Sequence, residues 1–446
     1  MAKNTAVALN VDSPYRPSEK RENTMNKHLP LKLQKTQQQL DRISAAFKQH
    51  MAAGRYAEAM REAVKAHMLI PKAVAPLSDA ATAAVKGGLW QECINYAKRA
   101  LQRNPQHINS LDALAHAYGG LGDWANCRIY GLQALQLRDK SIALQPEVPQ
   151  TSENSGGKNI ISFSLFGASS EYIEPAVMNT ELAGEIYPGW ICRFYIDGSV
   201  PETAVRRLQA NGAEIVRVDG GAEQWPGAMW RFLAMDDPEA ARIIFRDADS
   251  VISQREARAV QEWINSGKLF HTLRDAGTHT ELILAGLWGA AAGSVPDMRG
   301  KIEAFLSKPP ASRHFADQLF LRENVWPYAR QSLCAHDRIF GFAGAAPFPD
   351  DVPFDYDRFH VGCNEGNTRF QAAFNLPDGS RVLWRLFSRI SPLLNTDYSP
   401  NVLPEERLVC VYEAAVENGK VSGLIPRRYA QGFSDGLSKI TVAALE

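Results

Sequence analysis

The chain has 446 residues, 45% hydrophobic and 22% charged, with 49 Lys plus Arg against 49 Asp plus Glu and a formal net charge of zero. That length predicts two or three domains, and the charge balance excludes wholesale attraction to nucleic acid or acidic membranes. Six cysteines without C-x-x-C spacing argue against a disulfide scaffold or zinc site and for a reducing compartment. The first 30 residues are polar, lack the apolar core of a signal peptide and read as a disordered leader. The longest apolar run, residues 282–293, is too short and too glycine-rich to span a bilayer. The expectation is a cytoplasmic protein with no membrane span.

After the leader and the approach to a first helix (residues 1–39), the chain matches itself at a shift of 34 residues. Gly54, Gly88 and Gly122 fall in register, each followed two residues later by an aromatic: Tyr56, Trp90, Trp124. Ala59, Cys93 and Cys127 are small residues where two helices must approach, Ala66, Ala100 and Ala134 repeat, and Pro71 and Pro105 close the first two units, with Asp139 in the third. The pattern resembles the tetratricopeptide repeat, a helix-turn-helix of that period, in three units over residues 40–144. That resemblance implies a short superhelix with a protein partner on its concave face. The repeats are expected to select the acceptor or its carrier and to take no part in bond making.

Residues 145–158, with Pro146, Pro149 and a Ser-Glu-Asn-Ser-Gly-Gly run, have the composition of a flexible linker. An α/β pattern follows: strands at 159–166, 191–196 and 214–218, a helix at 202–209, and an apolar run at 240–245. At its end stands Phe245-Arg246-Asp247-Ala248-Asp249-Ser250. Successive strand side chains point to opposite faces, so the two aspartates converge only if the strand ends there and the chain turns. Paired carboxylates at a strand end suit Mg²⁺ or Mn²⁺, which share their remaining positions with water and a diphosphate. The plainer reading is a solvated turn with a helix cap beyond it, and Ser253 with Glu256 does read as a capping box. Open α/β sheets bind ligands at the carboxyl ends of their strands, which favours the site.

The ordered blocks Phe-Arg-Asp-Ala-Asp-Ser, Arg255-Glu256, Ala259-Val260, Glu262-Trp263, Phe270 through Asp275 and Gly286-Leu287-Trp288-Gly289 resemble bacterial GT-A-fold glycosyltransferases. The resemblance covers roughly residues 159–342. One departure is Ala285-Gly286, where related sequences tend to have two glycines. The resemblance implies a GT-A catalytic domain over residues 159–350, Mn²⁺ or Mg²⁺ as cofactor, and a nucleotide-sugar donor, UDP first. Transfer would go to a protein, peptide or glycan acceptor, with retention. Asp247 and Asp249 would hold the metal with His336, His360 being the competitor. Ser162, Phe163, Leu165, Asp197, Arg246 and Asp247 would bind the donor, and residues 162–167 with 195–197 the nucleotide. His271, Arg274, Asp275, Gly286 and Trp288 would face the acceptor, with His279 in the same polar cluster. The Asp317-Gln318 pair would sit beside the anomeric carbon as the catalytic element.

Two other readings stay open. One is a haloacid-dehalogenase-like phosphohydrolase with Asp247 as nucleophile, and the other a non-catalytic repeat adaptor. Strand-like runs at 381–387, 407–413 and 439–443, separated by Pro, Gly and Asn turns, predict a β-rich C-terminal extension over residues 351–446 whose function the sequence does not disclose.

Overall fold

A computed structural model describes residues 31–149, 156–308, 312, 315–349, 359–395 and 399–445. The expected leader, part of the expected linker and residues 351–358 lie outside these. The described residues form two compact units. The first gathers the chain up to Ala143 with the segments Asp275–Leu282 and Asp337–Gly344, and the second holds the rest.

Six helices build the first unit: α1 (Leu31–Ala52), α2 (Tyr56–Leu69), α3 (Ala75–Lys86), α4 (Trp90–Arg103), α5 (Ile108–Gly120) and α6 (Trp124–Ser141). The first helix starts at Leu31, ahead of residue 40, because residues 31–39 contain mostly good helix formers. Each hairpin turns the same way. Gly54, Gly88 and Gly122 have φ of 68°, 68° and 72°, a left-handed conformation open to glycine at little cost. The residue after each donates its N–H five residues back, to the carbonyls of His50, Ala84 and Tyr118, and each glycine donates three back, to Met51, Val85 and Gly119. This is a Schellman closure repeated three times at the 34-residue period. The expected small packing residues Ala59, Cys93 and Cys127 are fully buried, and burial pushes the Cys127 thiol up to about 12.

The third repeat holds the two later segments. On α6, Arg138 donates to both Asp112 carboxylate oxygens (2.9 and 2.5 Å) and to the Thr280 carbonyl (3.0 Å), and its Nε lies 2.7 Å from Glu281. His116 Nε2 lies 3.3 Å from the Thr278 carbonyl. Gly119 and Gly277 meet so closely that a Cβ on either would come within 3.3 Å of the other's Cα, and one on Gly131 would lie 2.2 Å from the Phe340 ring. Thus part of the surface of the third repeat is occupied by the chain itself. Removing the repeats would strip the packing from residues 275–282 and 337–344.

The second unit is built on a seven-stranded sheet in the order β3-β2-β1-β4-β6-β5-β7. Its strands are β1 (Lys158–Leu165), β2 (Trp190–Ile196), β3 (Glu214–Arg217), β4 (Ala240–Phe245), β5 (Phe270–Arg274), β6 (Trp288–Ala291) and β7 (Leu333–Asp337). The first four run parallel, whereas β6 is antiparallel to both β4 and β5. Helices α7 (Ser170–Ile186), α8 (Glu202–Ala210) and α9 (Gln254–Ser266) cover the parallel half, and Ile161, Phe163, Phe194, Ile244 and Trp263 share one core with them. The stretch expected as linker is fixed at its start: Arg330 donates to the Leu144 carbonyl (2.7 Å) and Gln331 to that of Pro146 (2.8 Å).

The β-rich region is more than an extension. Strands β9 (Arg381–Leu394), β10 (Pro400–Ala415) and β12 (Ser438–Ala444) form one antiparallel sheet and β8 (Thr368–Ala373) with β11 (Lys420–Ile425) a second. Their core takes in Met178 of α7, and Tyr412 and Arg207 both bond to the buried Glu174. No described helix is long and apolar enough to cross a membrane.

The Arg138 network sets the first expected outcome. Arg138→Met leaves Asp112 and Glu281 facing each other without their cation, and should cost about 3–5 kcal/mol in chemical denaturation. A variant as stable as the wild type would remove the network from the fold's determinants.

Candidate active site

Strand β4 ends at Phe245, and the next four residues turn over its C-terminal edge. Arg246, expected to bind the donor, is instead fully buried: it donates to Glu256 (3.1 Å) and to the Phe245 and Trp288 carbonyls. Glu256 therefore serves Arg246 and the Tyr187 hydroxyl (3.1 Å), while Ser253 caps α9 by accepting the Glu256 N–H.

Asp247 keeps nearly half of its side chain exposed. One oxygen receives Arg231 Nη1 at 2.5 Å, and the second Nη of Arg231 reaches Asp317 at 3.2 Å. Arg231 comes from a 3₁₀ turn, Gly227–Asp236, and is only 2% exposed. Its backbone is pinned on both sides by β1: Ser162 donates its hydroxyl to the Arg231 carbonyl (2.8 Å), and Ser164 accepts the Arg231 N–H (2.9 Å). Burial works against its charge, but the Asp247 and Asp317 carboxylates outweigh it and raise its pKa. Asp317 lies in a short helix, Ala316–Phe320, and its other oxygen accepts the Gln318 N–H (2.8 Å). So the structure brings Asp247 and Asp317 together on one guanidinium. Gly286 belongs to the same place: a Cβ there would lie 2.1 Å from the free oxygen of Asp247.

Asp249 is fixed from the C-terminal region. Asn364 donates to its carboxylate (2.7 Å) and Glu365 N–H to its carbonyl (2.7 Å). Burial first, then the Asp247 charge, raise its carboxyl to about 7. Glu171 adds to that repulsion, and burial with the Glu171 and Asp249 charges lifts the neighbouring Tyr172 phenol to about 12.

Other expected site residues lie elsewhere. His336 is buried, with Nδ1 2.9 Å from His271 Nε2 and Nε2 2.9 Å from Glu262, so both ring nitrogens are engaged away from the aspartates. His271 stacks on Trp263 and presents no acceptor surface. Burial, with His336 and Arg246, holds its pKa well below the usual value. Trp288 is fully buried and stacked on Phe245 at 4.1 Å, because β6 places it beside β4 in the sheet interior; it offers no face to a sugar. Arg274 is also buried, and Asp275 is held in the first unit, where its N–H donates to His279 Nδ1 (3.0 Å). Among the described residues, no three His, Cys, Asp or Glu side chains form a ready metal cage.

On the side expected for the nucleotide, Phe163 and Leu165 are core residues, Phe163 stacking on Phe194 at 4.7 Å. The exposed group there is Phe166, just past the end of β1 and edge-on to Trp230. Asp197 accepts the Ser199 N–H (3.0 Å), and the Ser199 hydroxyl accepts the Gly167 N–H (2.6 Å), which ties the ends of β1 and β2 together. Arg231 and Asn364 were not among the residues expected from the sequence, whereas Phe166 lies within the 162–167 stretch expected for the nucleotide. Only Arg231 left a signal, as a lone cation inside the apolar run Met229-Trp230-Arg231-Phe232.

No family model matches the chain, and no curated protein matches it. Among solved structures it is similar to the Sgt2 TPR domain from Aspergillus fumigatus, at 16% identity over 26% of this chain and 93% of that one, with a TM-score of 0.21. It is also similar to a mutant O-GlcNAc transferase from Thermobaculum terrenum, at 12% identity and TM-score 0.27, over 47% of this chain and 46% of that one. A third is glucosyl-3-phosphoglycerate synthase from Mycobacterium tuberculosis, in complex with phosphoglyceric acid, at 12% identity and TM-score 0.22, over 37% of this chain and 74% of that one. The chain thus spans about half the length of the O-GlcNAc transferase chain. Likenesses of this size establish neither fold nor activity.

The raised Asp249 carboxyl has a measurable consequence. Its folded value of about 7 stands above the ordinary aspartate value of about 3.9, so the native state binds more protons than the unfolded state between roughly pH 4 and 7. Stability should therefore fall as pH rises through that window. In metal-free buffer, thermal unfolding should drop by a few degrees between pH 5 and 7.5, and Asp249→Asn should flatten that slope. The same slope in both proteins would show that Asp249 is not its source.

Proposed function

We propose that the chain is a metal-dependent glycosyltransferase of the GT-A type, moving a sugar from a nucleotide-sugar donor, UDP first, to a protein or glycan acceptor with retention. The observation that carries this reading is the meeting of Asp247 and Asp317 on the buried Arg231 at the carboxyl edge of β4, with Asp249 two residues on. Crevices at the carboxyl ends of strands are where open α/β sheets take ligands.

The donor set fits a hard divalent cation. Asp247 is half-exposed with one oxygen free of Arg231, and Asp249 is pushed toward protonation by burial and by Asp247, a repulsion that a cation would relieve. With no third protein ligand assembled among the described residues, the remaining positions suit water and a diphosphate. When bound, Mn²⁺ or Mg²⁺ would neutralise the charge that develops on the departing nucleoside diphosphate. The protein's own share is positional. Arg231 fixes the Asp247 carboxylate through Nη1 and the Asp317 carboxylate through Nη2, so the two acidic groups cannot drift independently. The exposed ring of Phe166 offers a stacking face for a base beside the joined ends of β1 and β2.

The test is nucleotide-sugar turnover with and without Mn²⁺. Asp249→Ala should lower metal-dependent turnover on the order of 100- to 1000-fold while the chain stays folded, because it removes a strand-end carboxylate and no packed apolar group. Turnover unchanged at saturating Mn²⁺ would refute the assignment of Asp249. Donor hydrolysis by wild type that ignores the metal would refute the metal-dependent mechanism.

A second variant examines the crowding at Asp247. Gly286→Ala puts a methyl where the Asp247 carboxylate lies, so it should displace that group from Arg231 and cost at least about tenfold in kcat, since near-angstrom misplacement carries losses of that order or larger. Wild-type kcat in this variant would mean that the position of Asp247 is irrelevant to turnover.

A further inference from the structure

Helix α7 starts just past the end of β1, where Ser169 caps it by accepting the Glu171 N–H (3.2 Å). A segment of the β-rich region locks this first turn to the Asp-x-Asp edge. Asn364 Nδ2 donates to the Asp249 carboxylate (2.7 Å) and lies 3.4 Å from a Glu171 carboxylate oxygen, and Gly366 runs so close to the Glu171 carbonyl that a Cβ would not fit. Tyr172 stands on this locked turn. Its side chain is 38% exposed, and its hydroxyl has no hydrogen-bond partner among the described residues. Phe166, six residues earlier, is the other exposed aromatic at this strand end.

The charges that act on the phenol are all of one sign. Burial lifts it first, and the Glu171, Asp249 and Asp247 carboxylates follow in that order, so it stays protonated at neutral pH and keeps its donor. These acids decide what fits beside the ring. A cation on the two aspartates would leave Glu171 ionised, and Glu171 opposes a phosphate group placed against Tyr172. A neutral, hydroxyl-rich group meets no such cost. Its O–H groups find acceptors in Glu171 and the phenol oxygen, the phenol donates in return, and the C–H face of a pyranose covers the exposed ring.

We propose that Tyr172 forms the subsite for the sugar ring of the donor, its face covering the pyranose and its hydroxyl bonding to one sugar hydroxyl. The proposal rests on the nucleotide-sugar reading of the Asp-x-Asp site, and adds the residue that reads the sugar.

The experiment is calorimetric titration of the full chain at saturating Mn²⁺ with UDP, UDP-glucose, UDP-galactose and UDP-N-acetylglucosamine. Wild type should bind UDP and prefer one of the three sugars. Tyr172→Phe keeps the ring and should raise the Kd of the preferred UDP-sugar by roughly three- to tenfold, the loss of one hydrogen bond. Tyr172→Ala also deletes the stacking face and should cost roughly tenfold or more. Both variants should bind UDP as wild type does, which reports an intact fold and metal site. An unchanged Kd for the preferred UDP-sugar in Tyr172→Ala overturns the proposal and leaves the nucleotide-sugar reading standing. Equal weakening of UDP and UDP-sugar in Tyr172→Phe places the phenol against the nucleotide and overturns it as well. A wild-type chain that binds neither UDP nor any of the three sugars removes the nucleotide-sugar reading itself, and this subsite with it.

Discussion

A guanidinium cannot lose its charge at any accessible pH, so burying one obliges the surrounding chain to supply anions and acceptors. Arg231 imposes that obligation on the second unit. Its two Nη atoms need Asp247 and Asp317, and its Nη1 takes the Arg246 carbonyl as well. Its backbone needs Ser162 and Ser164, which explains two hydroxyls in a strand whose other buried residues are Ile, Phe and Leu. A 3₁₀ turn, a strand, a strand end and a short helix, far apart in sequence, are thereby held to one another.

The charge count around Arg231 then shapes the chemistry. One cation faces Asp247 and Asp317, with Asp249 and Glu171 close enough to repel. Fully ionised, the group is over-supplied with negative charge, and Asp249, desolvated by burial and repelled by Asp247, absorbs the imbalance by holding its proton to about pH 7. A site that must shed a proton or gain a cation at neutral pH is poised for ionic ligands. Asn364 stabilises Asp249 from the β-rich region without adding charge, so that region is part of the site's construction.

Much of this was legible and much was not, for identifiable reasons. The repeat period, the Gly54, Gly88 and Gly122 turns and the strand at 240–245 were readable because each is a local property of spacing or hydrophobic run. The position of Asp247 and Asp249 was readable because a strand end and a helix cap bracket them. Trp288 and His271 were misread for one cause: β6 runs antiparallel between β4 and β5, which puts both side chains inside the sheet's packing, and no local signal reports a strand's neighbours. His336 was misread because imidazole serves equally as a metal ligand and as a link in a buried hydrogen-bond chain, and only the positions of His271 and Glu262 decide. Asn364 was invisible, since a single asparagine in an irregular segment has no pattern.

The same electrostatic rule operates in the first unit and alters the meaning of the repeats. Arg138 is buried like Arg231, though slightly less, and collects Asp112 from α5 and Glu281 from a segment well over a hundred residues downstream. A surface evolved only for exchangeable partners would not bury a charged triad against its own chain, because a departing partner would leave Asp112, Arg138 or Glu281 desolvated and unpaired at several kcal/mol. Gly119, Gly131 and Gly277 reinforce the point, since each lacks the side chain that would hold the segments off. The third repeat is therefore committed to residues 275–282 and 337–344. Any recognition of an acceptor by the helical unit must use surfaces that these segments leave uncovered.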